Sequence, residues 1–268
     1  MTHGTRKKGI LWAATALAVV ALAFGCAAPT GPVDPGGVQT ADGPASPDDT
    51  PPGAQGQRLA IDFDTATPGY VAKEFAGAGI VHNPPPGYLD ADGWQILGFS
   101  DGDLLYGEEA SEGDFARGTS PGGVGTGGLY AFEVEPGNVA LGVQPTADDF
   151  SPGSISMRIP VTLDAVTELD LGYTLWVYND QNRSSRWSVA YSADAASWTG
   201  IPELQIVTPQ EAVSPASWES TRLTHSVDVS ALGLARGATL HIRWSSEDYS
   251  GSGGRDEAAI DDIEVSLE

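Results

Sequence analysis

The sequence predicts an all-β protein, an antiparallel β-sandwich that follows a signal peptide and a disordered linker. Three observations carry this. From Thr167 to Tyr178 apolar and polar residues alternate with period two. Short apolar runs are separated by Gly, Pro, Asn and Asp, and no segment repeats its apolar residues with a helical period. Strand-length runs punctuated in this way belong to antiparallel sandwiches and barrels.

The first element is the export signal, residues 1–25. Arg6, Lys7 and Lys8 form a basic start, and the run from Ile10 to Gly25 has an apolar core including Leu11, Trp12, Leu17, Val19, Val20, Leu22 and Phe24. That is the length of a secretory core and short of the roughly 20 residues that span a bilayer. Ala23-Phe24-Gly25-Cys26 resembles a bacterial lipobox, with Ala23 where Leu is commonest. The resemblance implies cleavage before Cys26 and lipid attachment to its thiol, hence a membrane-anchored lipoprotein at the cell envelope or cell surface. Two or three acyl chains, at about 0.8 kcal/mol per buried CH₂, make such an anchor stable. The alternative is an ordinary secretory signal with an incidental cysteine.

Residues 26–57 form the linker. Pro, Gly, Ala, Asp, Ser and Thr dominate from Ala27 to Gln57, with no aromatic residue and only Val33 and Val38 as larger aliphatics. Such a composition cannot bury a core, so a disordered tether is expected. The globular domain is expected over residues 58–268. A domain of about 200 residues buries roughly 70% of its unfolded surface, enough to fold without metal or disulfide. Cys26 is the only cysteine, so no intramolecular disulfide can form.

Charge narrows the partners. The chain has 13 basic and 36 acidic residues, a net charge of −23. Removing the three basic residues of the signal leaves 10 against 36, or −26. So negative a surface repels phosphate backbones and argues against nucleic acid, while it favours solubility and the capture of divalent cations.

Within the domain the clearest strand is Thr167–Tyr178. It places Leu169, Leu171, Tyr173, Leu175 and Val177 on one face and Asp170, Gly172, Thr174, Trp176 and Tyr178 on the other. The same period recurs at Trp187, Val189, Tyr191 and at Leu240, Ile242, Trp244, so both tryptophans are assigned to the core. Leu129–Val134, Val139–Val143, Ile155–Pro160 and Ile260–Leu267 are read as further strands.

Two catalytic patterns fail on context. Gly98-Phe99-Ser100-Asp101-Gly102 matches the nucleophile elbow of serine hydrolases, but Asp103-Leu104-Leu105-Tyr106-Gly107 offers no following helix. Gly123-Val124-Gly125-Thr126-Gly127-Gly128 matches a phosphate-cradling pattern, yet it precedes a strand where that chemistry needs a helix N-terminus. His82, His225 and His241 have no zinc-site spacing, and the EF-hand pattern breaks at Gln95, which stands at the glycine position. A hydrolase using two of the many carboxylates is a residual alternative with no distinguishing pair of residues.

Two readings are open for the second face of the long strand. Trp176 and Tyr178 could form a flat platform for a sugar ring, with His241 and Arg243 as polar partners, or a loop could cover them.

The two ends of the domain carry a resemblance. Ile61-Asp62-Phe63-Asp64 followed by Thr67-Pro68-Gly69-Tyr70 resembles the opening strand, and Ala259-Ile260-Asp261-Asp262-Ile263-Glu264-Val265 the closing strand, of calcium-containing jelly-roll modules of the MAM-like and carbohydrate-binding kinds. This implies a jelly-roll β-sandwich whose first and last strands pair, gathering Asp62, Asp64, Asp261 and Asp262 around a structural calcium ion. Carboxylates so close raise one another's pKa unless a cation or an arginine lies among them, and Arg255 is the candidate arginine. Tyr191-Ser192-Ala193-Asp194-Ala195-Ala196-Ser197-Trp198 is similar to a hairpin of discoidin-like modules, with alanine where glycine is usual and a turn-capping role for Asp194. Gly113–Ser120, Gly127–Phe132, Ala140–Thr146 and Ser250–Glu257 look like parts of an exported bacterial module that accompanies varied anchors and secreted enzymes. The expectation is a lipid-anchored, non-catalytic binding module for a glycan or surface polymer. The alternative class is a structural or adhesion protein that binds other envelope proteins.

Overall fold

The computed structural model describes residues 56–268. The signal peptide, Cys26 and the linker up to residue 55 lie outside the described residues. Fifteen strands follow in order: β1 (Gln57–Ile61), β2 (Phe75–Val81), β3 (Gly87–Asp90), β4 (Trp94–Phe99), β5 (Gly102–Leu104), β6 (Thr119–Ser120), β7 (Gly128–Glu135), β8 (Asn138–Gln144), β9 (Gly153–Pro160), β10 (Glu168–Tyr178), β11 (Arg183–Ser192), β12 (Thr199–Val207), β13 (Trp218–Asp228), β14 (Thr239–Gly251) and β15 (Glu257–Leu267). Two single-turn 3-10 segments, at Gly113–Phe115 and Ser230–Leu232, are the helical structure among the described residues.

The strands form two facing sheets. One runs β13-β10-β15-β8-β7-β6, with β1 also paired to β15, and the other runs β12-β11-β14-β9-β4-β5. A small parallel pair, β2-β3, stands apart. This is the all-β sandwich that the alternation predicts. Leu169, Leu171, Tyr173, Leu175 and Val177 of β10 turn inward, as do Trp187, Val189 and Tyr191 of β11 and Leu240, Ile242 and Trp244 of β14. Trp94, Trp187 and Trp244 are fully buried. Burying apolar surface at about 25 cal/mol per Å² is the main force joining the sheets.

The closing strand organises the first sheet. β15 pairs with β10 along one edge, and along its other edge it takes β8 at Ala258–Ile260 and β1 at Ile263–Leu267. First and last strands therefore pair, with Ile61 opposite Ile263. β1 ends at Ile61, so Asp62 and Asp64 stand in the turn after it rather than within the strand. Gly172 faces Glu264 whereas Thr174 faces Asp261, so β15 holds one extra residue. Asp262, in the left-handed conformation at φ 48°, marks this bulge.

Two of the edge strands, β12 and β13, are built differently from the interior. β12 contains Pro202, tolerated at an edge where no neighbour needs its missing N–H. β13 presents Glu219, Arg222 and His225 and buries none of its residues fully, which suits an edge that must not recruit another chain.

Candidate functional site

The four residues expected to share a ligand site do not meet. Trp176 and Tyr178 lie on β10 in one sheet, while His241 and Arg243 lie on β14 in the other. The sugar platform at Trp176 is also corrected. Its side chain is 6% exposed within a second apolar cluster containing Tyr130, Phe132, Val134, Ala140 and Ala259, with Val124 and Trp218 packed against it. The glycine-rich loop before β7 forms the cover. Gly122 (φ 103°) lies so close to the Tyr178 ring and Trp218 Nε1 that a Cβ would push against both, and Trp218 Nε1 donates to the Pro121 carbonyl at 2.8 Å. That loop is pinned from below, where the Val124 N–H donates to Glu257 Oε1 at 2.6 Å.

His241 and Arg243, in contrast, face outward on an open sheet surface. Leu240, Ile242 and Trp244 fill the core, so the residues between them project from the other side. Across the sheet Arg243 stands between Ala190 and Ser156, with Gly200 beyond the first and Gln95 beyond the second. The Arg243 guanidinium lies 4.1 Å from the centre of the Trp198 ring, a cation–π distance. His241 approaches Trp198 edge-on at 6.5 Å and Tyr106 at 5.4 Å, and the Arg158 guanidinium sits 5.3 Å from the Tyr106 ring. Two aromatic rings, two guanidiniums and an imidazole thus share one face.

Trp198 is held by its turn. Asp194 Oδ1 accepts hydrogen bonds from the Ala196 and Ser197 N–H groups and the Ser192 hydroxyl, and these bonds hold its carboxyl well below the usual range. Trp198 Nε1 donates to the Ala195 carbonyl at 3.1 Å. Ala195 adopts φ 56°, the conformation for which glycine is usual. Burial, reinforced by Arg158, lowers the His241 pKa, against an opposing pull from Asp194, so the imidazole is neutral at pH 7. Burial raises the Tyr106 phenol, so it too is neutral. Trp198, Tyr106 and Arg158 were not singled out as ligand residues from sequence. The Asp194–Trp198 turn was the available signal for the first, and no local pattern marks the other two.

Neither rejected catalytic motif acquires a catalytic setting. Ser100 follows β4 in a tight turn, and its hydroxyl donates to Asp114, a buried carboxylate already engaged by Arg117 and the Asp101 N–H. A groove of about 990 Å³ on the outer face of the seven-stranded sheet is lined by Arg58, Asp170, His225, Glu264 and Glu268 over a floor of small residues. It has no aromatic lining, so a sugar ring finds nothing there to stack on.

The four aspartates expected around a metal do converge in charge. Asp261 is 1% exposed, and its Oδ1 is buried with no hydrogen-bond partner. Burial, with Asp262, Asp62 and Asp64 adding to it, pushes its pKa up to about 7. Asp64 is raised for the same reasons, although the Val139 N–H bonded to its Oδ1 at 2.7 Å opposes this. Arg255 does not neutralise the group, because it binds Asp248 and Ser151. Arg222 lies nearer, but it donates to the Asp262 backbone carbonyl and to Glu264. An all-oxygen donor set around a partnerless carboxylate oxygen suits a hard cation. Among the described residues, however, no three His, Cys, Asp or Glu side chains are grouped closely enough to hold a metal ion.

No family model matches the chain, and no curated protein matches it. Solved structures resemble it in part. The K1 cleaved adhesin domain of the Lys-gingipain of Porphyromonas gingivalis W83 is 13% identical with a TM-score of 0.36, covering 78% of this chain and 98% of that one. A structure described as CBM4 structure and function is 14% identical with a TM-score of 0.34, covering 67% and 89%. The CBM22-1–GH10 modules of Clostridium thermocellum xylanase 10B, complexed with xylohexaose, are 12% identical with a TM-score of 0.34, covering 66% of this chain and 27% of that chain. The match therefore spans about a quarter of that enzyme's length. At these scores none of the three assigns a ligand to this chain.

Burial also raises Glu257 to about 7 and Asp256 to about 6. Both are neutral in the folded chain at pH 5 and ionised there in the unfolded chain. Their stabilising contribution is thus complete below the unfolded carboxylate range and is lost as pH rises through 6 and 7. Unfolding by urea in the presence of chelator should show lower stability at pH 8 than at pH 5. Glu257→Gln should flatten that slope, and an unchanged slope would remove Glu257 as its source.

Proposed function

We propose that the domain is a non-catalytic glycan-binding module, exported and held at the cell envelope by a lipid on Cys26. The observation that carries the binding reading is the open outer face of the six-stranded sheet, where Arg243 lies against Trp198 beside His241, Tyr106 and Arg158. Sugar rings present apolar C–H faces and equatorial hydroxyls. A site for them pairs aromatic surface with a few oriented polar groups, and a guanidinium offers a rigid fork of donors. The positions flanking Arg243 in register carry no carboxylate to act as acid or base. The site is therefore read as binding without turnover.

Trp198→Ala should weaken glycan binding at least tenfold, about 1.4 kcal/mol, in affinity electrophoresis against a panel of soluble polysaccharides. Trp176→Ala should leave that affinity intact while lowering stability by about 3–5 kcal/mol, as expected for a buried tryptophan. The opposite pattern would return the site to β10. A chain that binds no polysaccharide but cross-links to an envelope protein would replace the glycan reading with an adhesion one.

A structural calcium ion belongs to the same proposal. Asp261, with its partnerless oxygen, is the anchor of that proposal. Asp62, Asp64 and Asp262 raise its pKa but are not gathered closely enough to hold a metal as they stand, and would have to close on the ion between the turn after β1 and the bulge of β15. Calcium at a hundred times its dissociation constant should stabilise by about 2.7 kcal/mol. The effect should be greater at pH 8 than at pH 5, because protons compete for Asp261. A melting temperature that is the same in calcium and in chelator, and equal to that of Asp261→Asn, would dismiss the ion.

The anchor rests on Cys26, which follows the apolar export segment. Cys26→Ser should move the chain from the membrane fraction to the soluble fraction and abolish labelling by radioactive palmitate. Retention in the membrane would assign attachment to something other than the lipid.

A further inference from the structure

We infer that the face around Arg243 selects an acidic glycan, with the guanidinium of Arg243 receiving the carboxylate of a uronic acid. This rests on the glycan-binding reading above and names its ligand class.

The starting point is that arginines in so acidic a chain find partners. Seven of the nine described arginines lie against a carboxylate. Arg58 and Arg243 are the two that do not. Arg243 is held over Trp198 at 4.1 Å, and its Nε is buried without a partner. A cation in this state has been moved partly out of water with no anion provided in return, and an incoming carboxylate would supply one.

The surroundings leave that charge without a counterion. The neighbours of Arg243 across the sheet are Ala190 and Ser156, and the next residues out are Gly200 and Gln95. All four are uncharged, so no neighbour within the sheet supplies an anion to Arg243. The Ser156 hydroxyl is itself buried with no partner. Acidic groups bordering the face are engaged elsewhere: Asp194 by the backbone of its own turn, Asp92 by Arg158 at 2.9 Å, and Glu247 by Arg186 at 2.9 Å. Arg158, beyond Tyr106, is already neutralised by Asp92, which leaves Arg243 as the unpaired cation of this face among the described residues. His241, neutral at pH 7, offers hydrogen bonds rather than charge.

A carboxylate suits this geometry because it is planar and accepts two parallel hydrogen bonds from a guanidinium fork. The pyranose ring carrying it would then lie along Trp198 and His241. The chain's overall charge of −23 opposes a polyanion at long range. At 0.15 M salt the Debye length is about 8 Å, so the local charges of the face decide binding once contact is made.

The test compares polygalacturonate and alginate with their methyl-esterified forms, with neutral mannan and xylan, and with dextran sulfate. Binding to the purified full chain is measured by calorimetry at 0.15 M salt with chelator present. The expected result is at least tenfold tighter binding of a uronate polymer than of its ester. Arg243→Gln should abolish that preference, and Arg243→Lys should retain part of it. Thermal unfolding should show both variants to be folded. Neutral or esterified polymers binding as tightly as the acids, a preference for dextran sulfate, or an Arg243→Gln variant that keeps the uronate preference would overturn the inference while leaving a glycan module in place. Uronate binding that appears only when calcium replaces the chelator would assign capture to metal bridging and overturn it as well. If no polymer of any kind binds, the glycan reading itself fails.

Discussion

The fold depends on the pairing of its closing strand. β15 has partners along both edges, β10 on one side and β8 followed by β1 on the other. Its inward residues Ile260, Ile263, Val265 and Leu267 are all buried. A strand paired along both edges has most of its backbone groups hydrogen-bonded, and it ties the first and last segments of the domain together. The extra residue at Asp262 is the one break in this ladder with β10, and Asp261, the most strongly desolvated aspartate of the closing strand, lies directly beside it.

The two outer faces have opposite characters. On the seven-stranded sheet the loop around Gly122 folds over Trp176, Tyr178 and Trp218 and creates a second apolar layer. On the six-stranded sheet β14 is covered only in part, by Trp198 over Arg243 and Tyr106 against His241, and both of these β14 residues remain partly exposed. Apolar residues on an outward face thus gained a lid, while the face with cations on it stayed in contact with solvent. Alternation alone cannot separate these outcomes, because both strands show the same period and cover is supplied by segments distant in sequence.

Much of the sandwich was legible for that reason of period. β10, β11 and β14 read correctly because each has a buried face of large apolar residues, and Trp187 and Trp244 are core as their spacing indicates. β12 and β13 were not legible, since edge strands bury little and carry Pro202, Glu219 and Arg222 where an interior strand would carry aliphatics. The paired ends of the domain were anticipated by resemblance. In the site, the sequence offers His241 and Arg243 as polar partners of Trp176 and Tyr178, whereas the fold puts the two pairs on different sheets, because no local pattern reveals which strands share a sheet. Tyr106 and Arg158 reach the same face from a turn and from β9, a meeting that only the tertiary fold produces.

The turn that presents Trp198 has a thermodynamic consequence for recognition. Three hydrogen bonds to Asp194, the left-handed Ala195 and the bond from the indole to the Ala195 carbonyl fix the ring before any ligand arrives. The conformational entropy of that side chain is therefore surrendered on folding, and so is the cost of the strained alanine. The indole thus adds no ordering cost of its own to any association at this face.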